Sequence, residues 1–145
     1  MMDVFVANEQ ADVPVDELRL IALARHAAGD EGVDVRAELS VLLVDRGAMA
    51  SLKEKYLGES GPTDVLAFPM DEEPSDEEPF LIGDIVICPE VAAEQANGGV
   101  ADEVDLLLVH GFLHLLGYDH ARPQDARAMR HRERKILQGF NRSAK

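Results

Sequence analysis

Leu106-Leu107-Leu108-Val109-His110-Gly111-Phe112-Leu113-His114-Leu115-Leu116-Gly117-Tyr118-Asp119-His120 is the stretch around which the rest of the chain arranges itself. From Leu106 to Leu116 every residue except His110, Gly111 and His114 is Leu, Val or Phe. A helix that is apolar all round is a buried one. The segment therefore predicts a central helix, with Asp102 placed to cap its start and Glu103 and Asp105 favourable in its first turn. Gly117 supplies the left-handed residue that ends many helices.

Outward from that helix, the flanking segments read as short strands and longer helices. Val4-Phe5-Val6 is β-prone, and Pro14 opens a helical segment in which Val15, Leu18, Ile21 and Leu23 recur until Gly29. Leu39 to Asp45 reads as a buried strand, followed by a helical stretch through Met49 and Leu52 to Gly58. Gly61-Pro62-Thr63 marks a turn, Val65 to Phe68 a strand closed by Pro69, and Leu81 to Cys88 another strand. Pro89 suits the first position of a helix that Gly98-Gly99 would end, and a last helix runs from about Pro123 to Gln138. The 145 residues suit one domain, 1–145, of class α+β. A small mixed sheet of about four strands is expected to pack with long helices, and the histidine segment to sit at the end of the buried one.

The 28 acidic side chains outnumber the 14 basic ones, giving a formal charge of -14. Such acidity argues at first against nucleic acid, because phosphate would be repelled. The distribution changes that. Residues 1–121 hold 6 basic and 26 acidic side chains (-20), whereas residues 122–145 hold 8 basic and 2 acidic (+6). Part of the acidity lies in one run, Asp71 to Pro79, whose two prolines favour a solvated loop, while 139–145 reads as a basic tail. The single cysteine, Cys88, excludes an intramolecular disulfide and a Cys-rich zinc site. No leader or membrane-length apolar run is visible, which makes the cytoplasm the expected compartment.

His110 and His114, at i and i+4, project from one helix face about 6 Å apart, a bite that fits two ligands of one metal ion. Gly117 lets the chain turn so that His120 can return as a third. Three neutral imidazoles leave a fourth position for water, the mark of a catalytic zinc site. His26 and His131 lack such company and read as surface or helix residues. The spacing H-x-x-x-H-x-x-G-x-x-H is that of metzincin proteases, but their general-base Glu is replaced here by Gly111, which transfers no proton. Phosphate-loop, dinucleotide and serine-hydrolase motifs are absent, so no nucleotide cofactor is expected.

His110 to His120 resembles the signature H-G-x-L-H-L-x-G-Y-D-H of the YbeY family, bacterial rRNA-maturation factors. Pro62-Thr63-Asp64-Val65-Leu66-Ala67-Phe68-Pro69 is similar to the family's P-T-[DN]-V-L-S-F-P, with Ala67 where Ser is usual. Leu81 to Cys88 is similar to its L-G-D-I-x-I-S strand, with Cys88 at the Ser position. The likeness extends from about Leu39 to Leu137 in the family's order. It implies a metal-dependent, single-strand-specific endoribonuclease acting in small-subunit rRNA 3′-end maturation and ribosome quality control. His110, His114 and His120 would carry one Zn2+ per chain, with single-stranded or ribosomal RNA and the ribosome or a ribosomal protein as partners, and no membrane.

One position departs from the pattern. Many members place an arginine six residues before the Thr, where this chain has Leu57; Lys53 and Lys55 are the nearest stand-ins. Other roles stay open at this level. Asp119 either orients a ligand histidine or forms the turn, and the turn is the favoured reading. Asp84 either lines the cleft or marks a bulge, and Thr63 caps its turn or donates to phosphate, with the cap favoured. The basic helix Arg127–Lys135 carries RNA or merely solvates its face. The competing functions are a metallopeptidase and a non-catalytic, metal-stabilised ribosome-assembly factor.

Overall fold

Apolar alternation in the strands decides which side of the sheet each helix covers. The structure is a computed structural model that describes residues 1–61, 63–70 and 78–143. Pro62 of the expected turn, most of the acidic run expected at Asp71–Pro79, and Ala144 and Lys145 of the basic tail lie outside the described residues. The elements run β1 (Asp3–Asn8), α1 (Glu17–Asp30), β2 (Ala37–Leu43), α2 (Arg46–Leu57), β3 (Val65–Pro69), β4 (Phe80–Ile87), α3 (Pro89–Gln95), α4 (Val100–Leu115) and α5 (Pro123–Ser143). The four strands form one mixed sheet in the order β1-β2-β4-β3, with β3 antiparallel to β4 and the other pairings parallel. The expected α+β class and strand number are both found.

Successive side chains of a strand face opposite sides. In β2, Leu39, Val41 and Leu43 are buried, and with Ile85 and Ile87 of β4 they meet α1, α4 and α5 through Leu23, Leu108, Phe112, Met129 and Ile136. On the other side, Leu66, Val86 and Cys88 join Val44, just after β2, and Met49 of α2 in a smaller core. Full burial of a side chain such as Phe112 or Met49 stabilises by about 1.5–3 kcal/mol, and both are fully buried. Helix α4 thus lies flat on one face of the sheet, beside its edge strand β3.

Several boundaries differ from the sequence reading for local reasons. Asp102 is in the first turn of α4 and does not cap it; the helix begins at Val100 with Gly99 in the cap position and no side-chain cap bond. Asp16 and Asp45 do cap, accepting from the backbone N–H of Arg19 and Ala48, so β2 stops at Leu43 and Asp45 opens α2 instead of extending the strand. Cys88 precedes Pro89 as the cap residue of α3, which stops at Gln95, short of the Gly pair. Helix α5 continues beyond Gln138, so 139–143 is its final stretch and not a tail. Phe140 explains the extension: it is buried, and the Arg19 guanidinium of α1 lies 5.1 Å from its ring centre. No helix among the described residues is long and apolar enough to cross a membrane.

Candidate metal centre

Helix α4 delivers His110 and His114 to one face, and its C-terminus delivers the third imidazole. The helix closes in a Schellman arrangement: Gly117 N–H donates to the His114 carbonyl (3.0 Å) and Tyr118 N–H to the Leu113 carbonyl (3.0 Å). Gly117 has φ 101°, a conformation that favours glycine. The reversed chain returns His120 so that one ring nitrogen from each of His110, His114 and His120 lies within 4.8 Å of the others. Ring centres are 5.1 Å apart for His110–His114 and His114–His120, and 5.9 Å for His110–His120. His110 and His114 are half-buried and His120 is exposed, which leaves the cluster open on one side. Nitrogen donors in threes, open to solvent, fit a zinc ion with a free position.

The loop is fastened on both sides of His120. Tyr118 donates its hydroxyl to Glu31 (2.7 Å), and Arg132 of α5 donates Nε to the same carboxylate (2.8 Å). The hydrogen bond to Glu31 is the main reason that the Tyr118 hydroxyl titrates above its ordinary range. Asp119 accepts from the backbone N–H of His120 at 2.7 Å. That bond lies within the turn that bears His120.

The carboxylate that reaches an imidazole is Glu133. Its Oε2 lies 2.9 Å from Nδ1 of His110, and the glutamate is buried. A carboxylate only accepts, so Nδ1 carries the hydrogen and Nε2 keeps its lone pair for the cluster. Buried carboxylate partners of this kind orient metal-binding histidines. His114 is held below its ordinary 6.5, first by burial and then by the neighbouring His110 and His120. The neutral imidazole is the form that binds metal.

A cleft beside the histidines is lined by Asp64, Val65, Leu66 and Ala67 of the β3 approach and by Gly111. Asp64 is a lining residue to which the sequence reading gave no role. Its oxygens are already engaged, Oδ1 by the backbone N–H of Val65 (2.8 Å) and Oδ2 by Gln95 (2.7 Å). Thr63 donates to Asp64 (3.4 Å) and is not part of the lining. Asp84 is not brought to the site. It alternates with Ile85, whose side chain abuts Gly111, and so belongs to the opposite face of the sheet. Leu57, Lys53 and Lys55 sit on α2, which covers that opposite face. Lys53 is 3.6 Å from Glu59, Lys55 lies over Tyr56, and none of the three lines the cleft.

Glu133 was missed because it is 23 residues from His110, in a helix otherwise read as basic. A signal existed. Met129, Glu133, Ile136 and Phe140 fall on one helical stripe, and an acid within an apolar stripe calls for a buried partner. Asp64 carried no comparable mark.

The family model described as Endoribonuclease YbeY matches residues 5–141. Endoribonuclease YbeY of Salinispora tropica is 54% identical over 142 residues, covering 88% of this chain and 89% of that protein. The Thermobifida fusca protein of the same name is 51% identical over 150 residues, covering 98% and 96%. A solution structure of a Thermotoga maritima protein is similar with a TM-score of 0.63 at 26% identity, covering 97% of this chain and 89% of that one. With the fold, the eleven-residue histidine segment and these relatives in agreement, the chain belongs to the YbeY endoribonuclease family.

Proposed function

We propose that this chain is a metal-dependent, single-strand-specific endoribonuclease of the cytoplasm, acting in small-subunit rRNA 3′-end maturation and in ribosome quality control. His110, His114 and His120 hold one zinc ion per chain. The observation that carries this reading is the meeting of three imidazoles at a helix end, one of them braced by a buried glutamate, in a member of this family.

Zinc, when bound, lowers the pKa of a coordinated water to about 7 and supplies a nucleophile near neutral pH. The chain's own residues prepare the site for it. Glu133 holds the hydrogen at Nδ1 of His110, and the Tyr118–Glu31–Arg132 group fixes the turn that bears His120. Gly111 opposes the peptidase reading on steric as well as chemical grounds. An ideal Cβ there would lie 2.9 Å from Cγ2 of Ile85, so any larger residue at this position must displace that buried side chain.

Zinc-loaded protein assayed on single-stranded RNA beside His110→Ala and His114→Ala tests the proposal. Both substitutions are expected to lower bound metal and to reduce cleavage to background. Equal cleavage by wild type and His110→Ala would mark the activity as contamination and favour the non-catalytic assembly factor. Peptide cleavage abolished by the same change would replace the nuclease with a metallopeptidase.

A further inference from the structure

The lining of the metal cleft contains no Lys or Arg among the described residues, and its carboxylate, Asp64, would repel phosphate. Nucleic-acid affinity comes mainly from cations against the phosphate backbone. A cationic surface must therefore lie elsewhere if the strand is held by this protein.

Helix α5 supplies one. Arg127, Arg130, Arg134, Lys135 and Arg142 are spaced so that they fall on the side away from buried Met129, Glu133, Ile136 and Phe140. From Arg127 to Arg142 the helix rises about 22 Å, room for several consecutive phosphates. The two acids of this helix do not neutralise that face. Asp125 is paired with Arg122 at 2.8 Å, and Glu133 is turned inward to His110.

Elsewhere cations of the described residues are engaged. Arg19 meets Asp105, Arg36 meets Asp34, Arg46 meets Glu90 and Glu94, and Arg132 meets Glu31. Arg25 donates to the Met2 carbonyl. The five α5 cations have no ion pair among the described residues. In a chain with 28 acids and 14 bases, acids are abundant, yet none of those described pairs with these five.

We propose that the outer face of α5 is a docking rail for the sugar–phosphate backbone of single-stranded RNA, separate from the metal cleft. The choice of RNA as occupant rests on the endoribonuclease reading; the unpaired cationic face does not. The helix starts three residues after His120, so a strand lying along its outer face leads toward the site. The rail reads the strand through charge on its phosphates, so it binds without sequence preference.

The test is fluorescence anisotropy of labelled single-stranded RNA, read before cleavage sets in, with wild type and an Arg127→Glu, Arg130→Glu, Arg134→Glu, Lys135→Glu variant. The variant is expected to bind roughly tenfold or more weakly, and its log K against log salt slope to flatten by about 0.7 for each phosphate that is no longer neutralised. Its zinc content and circular dichroism are expected to match wild type. A companion variant with Gln at the same four positions keeps good helix formers and reads the charge loss alone if the Glu variant misfolds. Unchanged affinity and slope in the folded variants would overturn the rail. So would self-association of wild type that the variants lose while RNA binding persists, because the face would then dock the acidic body of a second copy. Loss of RNA binding in the variants, together with absence of RNA cleavage by wild type, would sink the nuclease reading and leave the rail standing.

Discussion

Glu133 and Arg19 each satisfy a group buried on another element, and removing either exposes a different cost. Glu133→Ala leaves His110 without its brace, so zinc affinity is expected to fall roughly 10–100-fold, with Glu133→Gln between that and wild type. Competition with a colorimetric chelator measures this, and equal affinity in all three proteins would show that the carboxylate does not orient the ring. Arg19 lies 2.7 Å from Asp105, whose side chain is 5% exposed against 31% for the arginine. Arg19→Ala should cost about 2 kcal/mol, less than breaking a fully buried pair because the arginine is partly solvated. Burial already pushes the Asp105 carboxyl up, with Arg19 pulling the other way. A raised carboxyl favours the fold below the unfolded value of 3.8, and that contribution disappears as pH rises through the folded value. The loss in Arg19→Ala is therefore expected to be smaller at about pH 5 than at pH 7 in urea unfolding; an equal loss at both would contradict it. Residue by residue, the histidines were legible because i, i+4 spacing and a glycine turn are local facts. Glu31, which closes on Tyr118 from 87 residues away, was not.

At the scale of elements, the sheet and α4 approach each other through two glycines of unequal tolerance. An ideal Cβ on Gly83 of β4 would lie 2.5 Å from the Phe68 carbonyl oxygen and 2.8 Å from Leu115. A backbone oxygen cannot step aside as a side chain can, so Gly83→Ala is expected to lose about 2–3 kcal/mol. Gly111→Ala meets only the Ile85 side chain within 3.4 Å, and gains about 1 kcal/mol of helix propensity in return. Denaturant midpoints should rank Gly83→Ala well below Gly111→Ala; the reverse order would refute this account of the contact. Strands and helices were legible in the sequence because period and punctuation are carried along the chain. Their faces were not. Asp84 and Ile85 are neighbours, and only the packing of α4 decided that Ile85 faces the histidines.

For the whole molecule, both cores close without help from the histidine cluster, since sheet and helices bury their apolar faces directly. Chelation is thus expected to preserve far-ultraviolet circular dichroism while lowering the melting temperature by about 10 °C relative to protein held at metal concentrations far above Kd. Global unfolding on chelation would instead make the metal a structural element. The charge of the chain was legible as a division between body and C-terminal end; that the basic end is a helix with one face unpaired required the packing of Phe140 and Glu133. Chain order carries a last consequence. All four strands are complete at Ile87, and the first of the three histidines follows at His110. A nascent chain therefore finishes its sheet before it owns any ligand, and leaves the part of Ile85 and Ile87 that α4 covers exposed until that helix emerges. The vulnerable moment in its biosynthesis is that interval, and the histidine cluster is complete only after it has passed.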